Sequence, residues 1–151
     1  MGRTRKCAFP LTLVVLTAAV VTATASGTPS RRSSVLHFYE NAGQRVFIDN
    51  APKGRNPSVG DVFIYTNPVF TRHGGRVGSD RRVCTVVGPL VLACAGTLQL
   101  PNGQLMLQSL GTAAADTSEA VVGGTGAFAG ARGVLATHST GTRTTIDITL
   151  Q

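Results

Sequence analysis

The sequence has no tryptophan, two tyrosines, two lysines and two glutamates in 151 residues. So little Glu and Lys, with 18 glycines spread through the chain, excludes a coiled coil. The glycines keep no three-residue period, which excludes collagen. Charged residues make up only 14% against 42% hydrophobic, which is the wrong balance for a disordered chain. No basic run carries interleaved aromatics, so the excess of arginine does not read as a nucleic-acid surface. No amphipathic helical period stands out; only Gly111 to Ser118 reads as a short helical turn. The length allows one domain of ordinary size.

The first 25 residues have the plan of a secretory signal peptide. Arg3, Arg5 and Lys6 precede an apolar stretch from Leu11 to Val21, and Ala23-Thr24-Ala25 is a small-x-small cleavage site. The apolar stretch is about half the ~20 residues that span a bilayer. Cleavage before Ser26 and a secreted, extracellular product are expected, with no stable membrane insertion afterwards. The leader takes three of the fourteen basic residues and none of the seven acidic ones, so the formal charge falls from +7 to about +4. Ser26 to Ser34 reads as a short flexible arm, and residues 35–151 as the folded domain.

What remains reads as strand throughout. Val35–Glu40, Arg45–Asp49, Asp61–Phe70, Arg81–Val87, Leu90–Leu100, Gln104–Leu110, Glu119–Val122, Gly133–Ser139 and Thr144–Leu150 are rich in β-branched, aliphatic and aromatic residues. Turn residues separate them, among them His73-Gly74-Gly75, Gly88-Pro89 and Pro101-Asn102-Gly103. Eight or nine strands joined mainly by short turns imply an all-β sandwich or an up-and-down barrel. An eight-stranded antiparallel barrel of this size can close around one small ligand. Across the Gly88-Pro89 turn the expected register places Val87 opposite Val91 and Cys84 opposite Cys94. In an oxidising compartment such a pair can form a disulfide; two buried thiols are the alternative.

Strand parity names the candidate site. Leu36, Phe38 and Glu40 share one face, and Phe63, Tyr65 and Asn67 share another. Leu36, Phe38 and Phe63 would line a mostly apolar pocket, with Glu40, Tyr65 and Asn67 as its polar guides. A carboxyl enclosed beside apolar residues has a raised pKa and is ready to move a proton. Ordinary core packing is the competing reading for Phe63 and Tyr65. Glycines at 123, 124, 126, 130 and 133 suit a tight strand-to-strand corner, with Arg132 either pinning it through a carboxylate or touching a ligand. No Lys-Ser or Lys-Thr follows them, so they are not a phosphate loop. His37, His73 and His138 lack metal-ligand spacing, and no metal or cofactor is expected.

Two segments carry a family resemblance. Ser58-Val59-Gly60-Asp61-Val62-Phe63-Ile64-Tyr65-Thr66-Asn67-Pro68-Val69-Phe70 resembles the Gly-Asp-apolar and Asn-x-apolar-aromatic segment of allene oxide cyclase-like barrels. Gly123 to Gly133 resembles a glycine signature shared with plant dirigent proteins, represented here by Gly124, Gly126, Arg132 and Gly133. The resemblance implies an eight-stranded antiparallel barrel, assembled as a homodimer or homotrimer, that holds a hydrophobic small molecule. It implies cofactor-independent ring closure, isomerisation or steered coupling. Tyr39-Glu40 is similar to the Tyr-Glu pair that holds the catalytic Glu of plant allene oxide cyclases. Asn67 is similar to a water-holding residue of that family. Asn41 follows Glu40 directly and no Ser-Pro pair follows, which speaks against the plant reaction itself. Folding one flexible substrate into its reactive conformer can supply up to ~7–11 kcal/mol. A carrier using the same cavity and a structural protein with a filled barrel are the alternatives.

Overall fold

The computed structural model describes residues 33–50, 57–112, 114 and 116–151. The expected leader and the arm up to Arg32 lie outside the described residues, and Ser34 already belongs to the first strand. Nine strands follow one another: β1 (Ser34–Asn41), β2 (Gln44–Ile48), β3 (Val62–Thr71), β4 (Arg76–Gly88), β5 (Val91–Leu100), β6 (Gly103–Thr112), β7 (Asp116–Gly126), β8 (Gly133–Thr140) and β9 (Arg143–Leu150). Among the described residues there is no helix, hence none long and apolar enough to cross a membrane.

Strands β3 to β9 pair with their sequence neighbours, all antiparallel. β1 then joins β9 on one side and β3 on the other, which closes an eight-stranded barrel. β2 is an extra strand on β3. β1 takes Val69–Thr71 of β3 and β2 takes Val62–Thr66, so the two occupy successive stretches of the same β3 edge. At the break between them, the Ala42 N–H donates to the Thr142 carbonyl at 3.0 Å and the Gly43 N–H to Asn67 Oδ1 at 3.0 Å.

Every second residue points inward, and the interior is filled unevenly. Val69, Leu98, Leu105, Leu107, Leu135, Ile146 and Ile148 are almost fully buried and plug one end. Leu36 and Phe38 pack against this plug. Near the other end Phe63, Cys84 and Val86 form a smaller cluster with Tyr65, Leu92 and Cys94. Phe47 of β2, directly across the ladder from Phe63, lies against it, ring centroids 4.9 Å apart.

Gly111–Ser118 holds no described helical turn. Thr112 pairs with Val91, and Asp116, Thr117 and Ser118 pair with His138, Thr137 and Ala136. The ladder satisfies backbone groups that one helical turn would leave open. β4 and β7 are also longer than their sequence runs: Arg76 and Gly78–Asp80 pair with β3, Ser79 and Asp80 with β5 as well, and Asp116–Ser118 pair with β8. Gly123–Gly126 end β7 as strand, and the corner itself is Ala127–Gly130. Gly126 adopts φ +61°, and a Cβ there would fall 2.3 Å from the Asn102 carbonyl oxygen.

Cys84 and Cys94 face each other across the β4–β5 hairpin and are joined by a disulfide, their Cα atoms 4.0 Å apart. The register near the turn differs from expectation. Gly88 pairs with Val91, a bulge lies between Val86 and Gly88, and Val87 has no opposite partner. One extra residue accommodates Leu90, which sits at φ +60°. The disulfide closes a loop of sequence separation 10. Reduction is expected to lower the unfolding free energy by about 2–3 kcal/mol, measured by urea denaturation with and without a thiol reductant.

Asp61 acts as a clamp, which accounts for the Gly-Asp of the first motif. It is fully buried, and its carboxylate accepts from Asn50 N–H at 2.9 Å, Ser58 N–H at 2.7 Å and Ser58 Oγ at 3.0 Å. Its backbone carbonyl accepts from Val86 N–H at 2.9 Å. Asp61→Ala orphans these donors and should cost about 3 kcal/mol in urea denaturation.

Candidate functional site

Between the plug and the open end lies a layer of buried charge. Glu40 comes from β1, Asp80 and Arg82 from β4, and Glu119 from β7. They are 8%, 1% and 5% exposed for the three acids in that order. Arg82 Nε donates to Asp80 Oδ2 at 2.7 Å, and Arg82 Nη1 pairs with Glu119 Oε1. One guanidinium thus holds two carboxylates, which its planar fork suits. Gly96 faces Arg82 across the β4–β5 ladder, and a Cβ there would lie 2.8 Å from Arg82 Cγ. The missing side chain leaves room for the arginine inside the barrel.

Glu40 is the third acid beside that one cation. Its pKa is raised from 4.5 to about 7. Burial is the largest cause, and the negative charge of Asp80 adds to it. Arg82 pulls the other way; a hydrogen bond with Asp80 favours the protonated form and one with Asn67 the ionised form. Asn67 Oδ1 already accepts from Gly43, so the amide NH2 is the end that serves Glu40. Glu40 Oε2, Asp80 Oδ1 and Arg82 Nη2 are buried with no hydrogen-bond partner among the described residues.

A cavity of about 480 Å³ stands on this layer. Glu40, Asn67, Arg82 and Glu119 line it together with Tyr65, the Cys84–Cys94 bridge and Leu92. Much of the remaining wall is hydroxyl: Thr117 and Thr137 share a hydrogen bond at 2.6 Å, and Ser139 and Thr144 one at 2.9 Å. Beside the β6–β7 connection its lining includes Thr112, Ala114 and Asp116, all three exposed.

The structure brings Glu40, Tyr65 and Asn67 to this one cavity. Leu36 and Phe38 belong instead to the plug, and Phe63 to the adjoining cluster beside Phe47. The cavity wall is accordingly more polar than an apolar pocket formed by those three. Gly124, Gly126 and Gly133 sit at the opposite end, Gly124 and Gly126 in β7 and Gly133 at the start of β8. Arg132, beside them, is exposed, and its Nη1 donates to the Ala131 carbonyl at 2.8 Å. His37 pairs with Asp147 and His138 with Asp116, both across strands on the outer face. Among the described residues no group of three or more His, Cys, Asp or Glu is placed to hold a metal ion.

Sequence reasoning missed Asp80, Arg82 and Glu119. Parity was the available signal. Asp80 and Arg82 alternate with Cys84 and Val86, and Glu119 with Val121, so each charge shares a face with residues that had to be inside.

A closed eight-stranded antiparallel barrel defines the fold class, and the sequence agrees with it. The family model of the allene oxide cyclase barrel-like domain matches residues 44–150, and the chain belongs to that family. No curated protein matches the sequence. Among solved structures, pyocyanin demethylase is 23% identical with a TM-score of 0.69, covering 78% of this chain and 100% of that one. The pterocarpan synthase dirigent protein GePTS1 is 20% identical with a TM-score of 0.64, covering 79% and 84%. The Diels Alderase AbmU from Streptomyces koyangensis is 13% identical with a TM-score of 0.62, covering 80% of this chain and 64% of its own. At these identities the likeness is one of fold.

Proposed function

We propose that the protein is a secreted, cofactor-independent cyclase or isomerase that closes or rearranges a hydrophobic small molecule with stereocontrol. What supports this role is the Glu40 carboxyl, buried on the cavity floor and held near neutrality. A carboxyl with that pKa can give and take a proton at ordinary pH, where a solvated glutamate is fully ionised. Tyr65 offers an aromatic face, and Asn67 and the Thr and Ser hydroxyls offer hydrogen bonds to substrate oxygens. The walls fold the substrate; Glu40 moves the proton.

The test uses linear polyenes bearing an enone or epoxide, with products resolved by chiral chromatography. Wild type should enrich one stereoisomer, and Glu40→Gln should be slower by roughly 10²–10⁴-fold. Equal rates and a racemic product with either protein would exclude catalysis by Glu40. The likeness in fold to a dirigent protein favours a second reading, in which the cavity only steers coupling or carries its guest. In that case, with phenols and an added one-electron oxidant, Glu40→Gln should keep the wild-type product ratio.

A further inference from the structure

The chain is basic overall, yet its few acids gather at the cavity. Of seven Asp and Glu residues, Glu40 and Glu119 line its floor and Asp80 is joined to it through Arg82, while Asp116 stands at the rim with its carboxylate paired to His138 on the outer face. Arg82 is the one basic side chain among the described lining residues, although the chain has fourteen Lys and Arg. Both ion pairs of Arg82 are already taken, by Asp80 and Glu119. Glu40 therefore has no cation of its own, and its buried Oε2 has no hydrogen-bond partner among the described residues. An incoming carboxylate would meet three acids against one arginine, whose Nε and Nη1 are taken and whose unpartnered Nη2 is itself buried in the layer. A positive group would meet an acid that lacks a counter-charge, in a cleft of low dielectric that focuses the field. The Tyr65 ring on the cavity wall already has the Arg45 guanidinium 5.4 Å from its centroid, so the acids rather than the ring would hold the guest's charge.

We infer that the cavity takes an organic cation: a small hydrophobic molecule carrying a quaternary or protonated nitrogen, seated against Glu40 and Glu119. This names the substrate class for the cavity and rests on its being the ligand site. Binding is coupled to a proton. Asp80 and Arg82 from β4, Asn67 from β3 and Glu119 from β7 are the charged and polar groups acting around Glu40. They leave its carboxyl protonated on the acid side of neutrality, and a cation alongside favours its ionised form. The cation should thus bind more tightly as pH rises through neutrality and release a proton as it binds.

Benzyltrimethylammonium, its uncharged carbon isostere neopentylbenzene, and phenylacetate form a matched set for ligand-observed NMR and titration calorimetry. At pH 8.5 the cation should bind at least tenfold more tightly than the isostere, and phenylacetate more weakly than either. Between pH 5.5 and 8.5 the cation's affinity should rise at least fivefold while the isostere's stays level, and Glu40→Gln should abolish the rise. Glu119→Gln, which leaves Glu40 in place, should lower the cation's advantage at least threefold without changing the isostere. A cation no tighter than the isostere, a tightest-binding phenylacetate, or a pH-dependent rise that survives in Glu40→Gln would overturn the inference. Failure of all three probes to bind would overturn it together with the ligand-site reading. A cation preference alongside wild-type turnover by Glu40→Gln would support it while removing the catalytic proposal.

Discussion

Glu40→Gln should be more stable than wild type above pH 8 and indistinguishable from it near pH 4. The sign follows from the direction of the shift. Unfolded, Glu40 ionises near 4.5; folded, it holds its proton to about 7. Between those values the folded chain binds more protons than the unfolded one, so wild-type stability falls as pH rises and levels off above about 7. The whole span corresponds to a loss on the order of 3 kcal/mol. Glutamine has no proton to lose, so the variant should lack this slope. Urea midpoints measured every half unit from pH 4 to 9 would reveal it. Parallel curves for the two proteins would mean that Glu40 is ionised, or hydrated, well below neutrality. Together with the expected loss of turnover, the variant would exchange activity for stability at one buried site.

Arg82→Ala should be the most damaging single change in the charged layer. It strands Asp80 and Glu119, both almost fully buried, without their shared counter-charge. Removing one member of a buried ion cluster costs about 3–5 kcal/mol. The deficit should shrink in acid, where protonated carboxyls need no partner. Arg82→Lys keeps the charge but cannot bridge two carboxylates with one planar group, so its loss should be intermediate. Arg82→Ala should also raise the Glu40 pKa further, because the Arg82 charge lowers it. Carboxyl titration by NMR would register that rise, and an unchanged titration would place Arg82 outside the electrostatics of Glu40.

The parts of this fold that were legible in the sequence are those where local preference and tertiary demand agree. Val83–Val87 and Val91–Ala93 are β-rich on either side of Gly88-Pro89, and their register brought the two cysteines together. The first half of β4 was illegible because Gly78, Ser79 and Asp80 are poor strand formers alone. The ladders decide there: Gly78 pairs with β3, and Ser79 and Asp80 with both β3 and β5, which satisfies the backbone whatever its composition. Glu40, Tyr65 and Asn67 could be placed on inward faces by alternation. How far along the axis each would stand could not. That depends on the stagger between strands, and it sends Phe38 into the plug while Glu40, two residues on, reaches the cavity. Arg82 was hidden by its neighbour: Arg81 is exposed, and adjacent strand residues face opposite ways, so the two arginines of one dipeptide part company.

The aliphatic residues packed into one half of the barrel make the hollow half a cul-de-sac. A guest that enters past the exposed Thr112, Ala114 and Asp116 would meet the charged floor head first and keep its tail toward solvent. Long chains need not fit along their whole length, and tail length should matter less than the group at the leading end. The solid half, meanwhile, can preserve the fold while the residues around the cavity change.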